Sequence, residues 1–246
     1  MNGLQSLSQW QRFMDNPTGA WLGFINALQS IGGLVFQPIS AWSANRFGRK
    51  RIILIGYLWL VLGVGLQAGA PNMKYFIASR FFIGVASTWF QASVILVTEI
   101  AYPSHRSFVT AAYMCLFYAG SLLSAWITFG TRDLDSNWAW RIPSLMQIAF
   151  PLLALPGTLL IPESPRWLIS QKRSDEARSV LVRYHAGGDQ NSELVAFEMA
   201  EITESIKLEQ SVQRESRWID CLSTTGNRYR FFLSVSLGFF AQWNGW

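Results

Sequence analysis

Long apolar runs separated by short polar joints occupy the first two thirds of the chain. Gly19 to Trp42, Ile52 to Ala70, Tyr75 to Thr98, Phe108 to Gly130 and Ile142 to Ile161 each approach or exceed the roughly 20 mostly apolar residues that carry a helix across a bilayer core. A helix is the form expected there, because hydrocarbon offers the backbone no outside hydrogen-bond partner. Only the third run holds a charge in its interior, Arg80. A further run, Phe231 to Trp246, is 16 residues long where the chain stops and reads as part of a spanning helix.

A soluble helical core would show a polar face repeating every 3.6 residues. Ile52 to Ala70 shows none, and its Gly56, Gly63, Gly65 and Gly69 suit close helix contact in lipid, with Gly65 and Gly69 at small-xxx-small spacing, or serve as simple fillers. The expected fold is therefore all-α, a polytopic transmembrane helix bundle over residues 19–161. Residues 1–18 are mostly polar and lack the basic start and short apolar core of a signal peptide, so they read as an external loop.

Composition agrees. The chain is 50% hydrophobic and 15% aromatic, with 12 Trp and only 14% charged residues, unlike an ordinary soluble surface. From Gly19 to Ile161 the charges cluster at the joints. One set of alternate joints holds Arg46, Arg49, Lys50 and Arg51, then Arg106, then Arg166, Lys172 and Arg173; the other holds Lys74, Arg132 and Arg141 together with Asp133 and Asp135. Lys and Arg accumulate on the cytoplasmic side of short connections, which places the first set inside. The net charge of +5 then reflects topology, and no nucleic-acid partner is expected.

Residues 162–230 are polar and read as a cytoplasmic helical segment. Ser174 is a candidate cap for a helix through "SDEARSVLVRYH", with Asp175 and Glu176 in its first turn and Ala177, Val180, Leu181 and Tyr184 on one stripe, stopped by Gly187 and Gly188. A second helix is expected from about Ser192 to Glu209, with Val195, Met199, Ile202 and Ile206 aligned. These amphipathic helices lie either on the inner face of the bundle or against each other and lipid headgroups. His105 and His185 have no partners at metal-site or triad spacing, Cys115 and Cys221 imply no disulfide, and no phosphate-binding glycine motif occurs. No enzyme activity, cofactor or metal is expected.

A cation inside a spanning helix costs several kcal/mol unless it meets water or a counter-ion. Arg80 in "ASRFFIGVAS" accordingly reads as a pathway or coupling residue, or else as a side chain that snorkels to the nearby outer interface.

"NRFGRK", "SRFFIGVAS", "EIAYPSHR" and "PESPRWL", in that order and at helix-length separations, resemble the sugar porter family of the major facilitator superfamily, most like fungal lactose and hexose permeases. "WRIPSLMQ" and "LGFFAQWNGW" resemble the fungal branch as well. The resemblance implies a two-half bundle working by alternating access around a midplane sugar site, with protons as the coupling ion and the plasma membrane as the location. This chain corresponds to helices two to six, the cytoplasmic segment and the first part of helix seven. Arg49, Lys50, Glu99, Arg106, Glu163 and Arg166 match a cytoplasmic gate network of paired charges, Arg80 matches a proton-coupling position, and Gln242 matches one sugar-binding amide.

Four positions depart from the pattern. Asn45 stands where the first motif usually has Asp, Ala41 where it has Gly, Met114 where an amide commonly meets the sugar, and Ala241 beside Gln242 where a second Gln is usual. Helix one, whose acidic residue is the expected partner of Arg80, and the second half of the bundle have no counterpart in this chain. The resemblance therefore implies a fragment that does not transport alone. A sugar sensor and a non-transporting membrane partner of a full-length permease are the alternatives.

Overall fold

A computed structural model of the chain describes residues 2–215 and 223–243. Every regular element among them is helical. Two short helices, α1 (Asn2–Gln5) and α2 (Ser8–Phe13), precede five long ones: α3 (Gly19–Phe47), α4 (Arg49–Ala68), α5 (Met73–Ile100), α6 (Arg106–Thr131) and α7 (Trp138–Leu160). A 3₁₀ turn, Pro103–His105, leads into α6, and α8 (Pro165–Ser170), α9 (Ser174–His185), α10 (Glu193–Glu215) and α11 (Thr225–Trp243) follow. The five long helices have the length and hydropathy to cross a membrane. All five run past their apolar stretches at one or both ends and take charged residues into their terminal turns, Arg46 in α3, Arg49 to Arg51 in α4 and Arg141 in α7 among them.

The chain divides into two compact units, residues 1–190 and 191–246. In the first, α5 is the central element, with long contacts to α3 and α4, while α7 packs on α4 and α6 on α7. Glycines set the closest crossing. A Cβ on Gly84 of α5 would strike the Gln29 carbonyl of α3, and one on Gly32 of α3 would strike the Phe81 carbonyl of α5. The two backbones touch where neither has a side chain, and the Thr88 hydroxyl spans the same seam to the Gly33 carbonyl at 3.2 Å. On α4, Gly56 faces Trp89 and Gly63 faces Ile83 of α5, whereas Gly65 has open space around it and Gly69 meets only the Gly65 carbonyl. The contact glycines are thus 56 and 63, two turns apart on one face, and not the 65/69 pair.

Residues 1–18 are more ordered than a loop. Leu4, Leu7, Trp10 and Met14 are buried in one cluster with Ile25, Ala70, Phe76 and Trp140. Their spacing puts them on one side of α1 and α2, so the segment folds down as a cap over the ends of α3, α5 and α7. Polar bonds pin it there: Gln5 Nε2 donates to Asn26 Oδ1 at 2.6 Å and Gln9 Nε2 to the Leu134 carbonyl at 2.8 Å. At the opposite end of the bundle a second cluster joins Ala44, Ile52, Ile53, Tyr57, Trp89 and Leu96.

α6 is the barest of the long helices, with Phe108, Leu116, Phe117 and Trp126 about 70% exposed. A side chain of this type in lipid loses nothing by being outside the protein, so such a surface is the expected face of a spanning helix. In α9, Ala177 and Leu181 are buried as the stripe predicts, but Tyr184 is half exposed, with the Arg183 guanidinium 5.7 Å from its ring centre. Ser174 is the first residue inside α9 and not its cap; Arg173 holds the cap position. In the second unit, α10 begins at Glu193 as expected and continues six residues past the expected Glu209, to Glu215.

Candidate functional site

The motif charges gather at the α8–α9 end of the first unit, where the ends of α3, α4, α5 and α7 meet. Helix ends leave four N–H or four C=O groups without intrahelical partners, and these motif side chains take up several of them. The Glu163 carboxylate lies across the start of α4: Oε1 accepts from the Arg49 N–H at 3.0 Å and the Ser164 N–H at 3.0 Å, and Oε2 from the Lys50 N–H at 3.2 Å. A carboxylate here also meets the positive end of the helix dipole. Gly48 makes room for it. That residue sits at φ 96°, and a Cβ on it would run into Glu163 Oε2.

At the carbonyl ends the donors are cations and an indole. Lys50 Nζ donates to the Leu159 carbonyl at the end of α7 at 2.8 Å, Trp167 Nε1 to the Asn45 carbonyl at the end of α3 at 3.0 Å, and Arg106 Nε to the Ala101 carbonyl after α5 at 3.3 Å. A ring nitrogen of His185 lies 2.9 Å from the Ile100 carbonyl. Trp167 is itself positioned by Ser164, whose hydroxyl accepts its backbone N–H at 3.1 Å and caps α8.

Among the described residues one charge pair crosses between the long helices. Arg49 Nη2 donates to Glu99 Oε1 at 3.2 Å, and Arg49 Nε lies 3.2 Å from Glu99 Oε2, with both side chains largely buried. The partner of Glu99 is therefore Arg49, from α4, and not Arg106. Arg166 lies in the first turn of α8. Gly48, Trp167 and Ser164 were not singled out from the sequence, although each sits inside or beside a quoted motif.

Glu163→Ala is expected to lower the unfolding midpoint of the detergent-solubilised chain, because three backbone donors lose their acceptor at about 1–3 kcal/mol for each one left buried. Glu163→Gln should fall between, since it keeps one acceptor oxygen. A midpoint equal to that of the parent chain would remove the capping role.

Nearby, Arg173 Nε donates to Glu176 Oε1 at 2.7 Å and Nη2 to Oε2 at 2.5 Å. This bond holds the Glu176 carboxyl below its ordinary value of 4.5 and raises Arg173. A carboxylate lowered on folding contributes above its unfolded pKa, and the contribution fades as pH falls through the folded one. The first turn of α9 should therefore exchange amide hydrogens faster, relative to its intrinsic rates, below about pH 4 and in high salt. Glu176→Gln should abolish both dependences.

Arg80 lies apart from this cluster, seven residues into α5. It is 6% exposed, its neighbours Phe76 and Ser79 on the same helix are fully buried, and its Nε has no hydrogen-bond partner. Among the described residues no carboxylate lies within 4.0 Å of it. Asn45 contributes its carbonyl to Trp167, Met114 is 57% exposed on α6, and the side chain of Gln242 lies outside the described residues. Near the end of α4, the fully buried Gln67 accepts from Gln147 Nε2 of α7 at 3.3 Å.

Residues 4–246 match the family model described as "Sugar (and other) transporter". The chain belongs to the sugar transporter family. Among curated relatives it is 31% identical to Sugar transporter STL1 of Saccharomyces cerevisiae, over 91% of this chain and 40% of that protein. It is 26% identical to the MFS-type transporter criB of Aspergillus cristatus, over 90% of this chain and 48% of the relative. Its fold matches a solved structure of the proton:xylose symporter XylE bound to 6-bromo-6-deoxy-D-glucose with a TM-score of 0.73 at 20% identity, over 85% of this chain and 49% of XylE. The inward-open form of XylE from E. coli gives a TM-score of 0.64. The chain is thus an integral membrane protein with the helical fold of the major facilitator superfamily, and it spans about half the length or less of the relatives it matches.

Proposed function

We propose that this chain supplies one half of a proton-coupled sugar carrier of the plasma membrane. Arg80 carries the reading. A guanidinium buried in a spanning helix without a carboxylate costs several kcal/mol and is retained where a partner comes and goes. Its burial among α5 neighbours weighs against snorkelling to an interface. In a symporter the partner is a carboxylate whose protonation decides whether Arg80 is engaged, and in this family's architecture it belongs to a helix preceding α3. The sugar site lies between two halves, so transport requires segments that the relatives possess beyond this chain.

The α8–α9 end faces the cytoplasm in this reading, since it carries Arg46, Arg49, Lys50, Arg51, Arg106, Arg166, Lys172 and Arg173. Arg49, Lys50, Glu99 and Glu163 tie α4, α5, α7 and the α8 segment together, so they act as the rigid inner rim of one half. Arg106 and Arg166 border that rim. The gate then opens and closes through contacts that the rim makes with the opposite half, at a bias of a few kcal/mol that allows repeated cycling.

Uptake in transport-deficient cells tests the proposal. Cells expressing this chain alone should show no saturable sugar uptake, and cells expressing it continued into the flanking segments of its relatives should show uptake that carries protons inward, read as alkalinisation of the medium when sugar is added. Saturable uptake by the chain alone, or uptake by the extended protein that moves no protons, would overturn it.

A further inference from the structure

The first turn of α4 consists of Arg49, Lys50 and Arg51, with no acidic residue among them. Cations at a helix N-terminus oppose the dipole, so each needs a reason to be there. Arg49 has Glu99 and Lys50 has the Leu159 carbonyl. Arg51 has no hydrogen-bond or ion-pair partner among the described residues and is exposed. It lines a concavity of about 520 Å³ between the start of α4 and the α8–α9 segment, together with Lys50, Leu54, Trp167, Arg173 and Ser179.

The two acids in the same concavity are already committed. Glu163 is turned onto the α4 amides and Glu176 onto Arg173, which leaves the Arg51 guanidinium and the unused donors of Lys50 and Arg173 facing the space. Sidedness requires cations on the inner side, but it does not require three of them to converge on one hollow. Below Arg51 the same stripe of α4 continues as Ile55, Leu58 and Leu62, of which Leu58 is 70% and Leu62 43% exposed. A cationic hollow at the headgroup level thus opens onto a bare apolar track running into the hydrocarbon.

We propose that this hollow binds the phosphate headgroup of an anionic inner-leaflet phospholipid whose acyl chain lies along the Arg51–Leu58–Leu62 face of α4. Basic pockets beside spanning helices on the cytoplasmic side have the charge for such headgroups, and guanidinium groups match phosphate oxygens in paired donors. A phosphate placed there also sits near the α4 N-terminus and relieves the cation–dipole conflict. The proposal rests on the cytoplasmic placement of α8 and α9 given above and not on sugar transport.

The test offers the purified chain in nonionic detergent three probes: short-chain phosphatidylinositol 4-phosphate, short-chain phosphatidylcholine and the chain-free headgroup inositol 1,4-bisphosphate. Bound ligand is counted by native mass spectrometry. The phosphoinositide is expected to bind at least fivefold more tightly than either other probe, with Arg51→Ala weakening it about fivefold and Arg51→Ala/Arg173→Ala about 25-fold. Arg51→Lys should retain most of the affinity, and circular dichroism should show all variants folded. Equal binding of phosphatidylcholine, equal binding of the free headgroup, or wild-type affinity in folded Arg51→Ala would each overturn the lipid site. No uptake enters the readout, so failure of the transport reading and failure of this one remain distinguishable.

Discussion

Gly84→Leu should leave little or no monodisperse chain after detergent extraction, while Gly65→Leu should extract and unfold like the parent. Both substitutions add the same side chain to a spanning helix, and both raise helix propensity. They differ in what the new Cβ meets. At Gly84 it meets the Gln29 carbonyl of α3, part of a helical backbone that cannot rotate aside; at Gly65 it meets open space. Ordinary overpacking costs about 1–3 kcal/mol, and a collision with a helix backbone exceeds that range because α3 must move away as a body. That movement also strips the Thr88 bond to Gly33 and the Ser40 bond to Thr88 from the seam. Size-exclusion profiles and unfolding midpoints of the two variants decide the matter. Equal behaviour of Gly84→Leu and Gly65→Leu would mean that the α3–α5 crossing is not set by this contact.

The glycine result shows where sequence reading stops. A run of apolar residues announces a spanning helix because only hydropathy is needed, and all five complete runs are helices. Which face of the helix touches a neighbour is a different question. Gly65 and Gly69 have the spacing of a contact motif, yet Gly65 points away from the protein, while Gly32 and Gly84, in separate helices and 52 positions apart, make the tightest approach. No local spacing carries that information. The 1–18 segment failed for the opposite reason. Leu4, Leu7, Trp10 and Met14 do recur at helical intervals, but polar neighbours and a break between two very short helices hide the stripe.

The charged rim was half legible. Each motif residue stood out, because ionised groups beside apolar runs are few, but their partners did not. Glu163 was expected within a network of paired charges and instead binds backbone amides, a choice made possible by the missing Cβ of Gly48. Glu99 was expected in the same network without an assigned partner, and it meets Arg49, 50 positions away at the start of the neighbouring helix. Charge type is local and pairing is tertiary, so motif reading yields candidates and leaves geometry to the fold.

Arg80→Leu should raise the unfolding midpoint of the chain and, in a carrier containing this half, abolish accumulation against a gradient while leaving exchange measurable. The two effects have one cause. Arginine near the centre of a spanning helix is about 3 kcal/mol less favourable than leucine on the insertion scale, and here the guanidinium is buried with its Nε unpartnered. Leucine removes that cost, and the upper bound on the gain is about 3 kcal/mol, since a buried cation can polarise its surroundings. The same substitution removes the buried guanidinium that, in the proposed carrier, meets the protonatable partner. Without it, the protonation state of that partner no longer biases one conformation over the other, and a ligand or proton without differential affinity shifts no equilibrium. Sugar exchange needs only the sugar site and the rocking motion, so it persists. Arg80→Lys separates charge from geometry, because an ammonium keeps the cation but loses the planar paired donors, and it should restore accumulation only in part. Intact accumulation in Arg80→Leu would remove the coupling role, and a lowered midpoint would mean that Arg80 is satisfied in the fold and contributes to it.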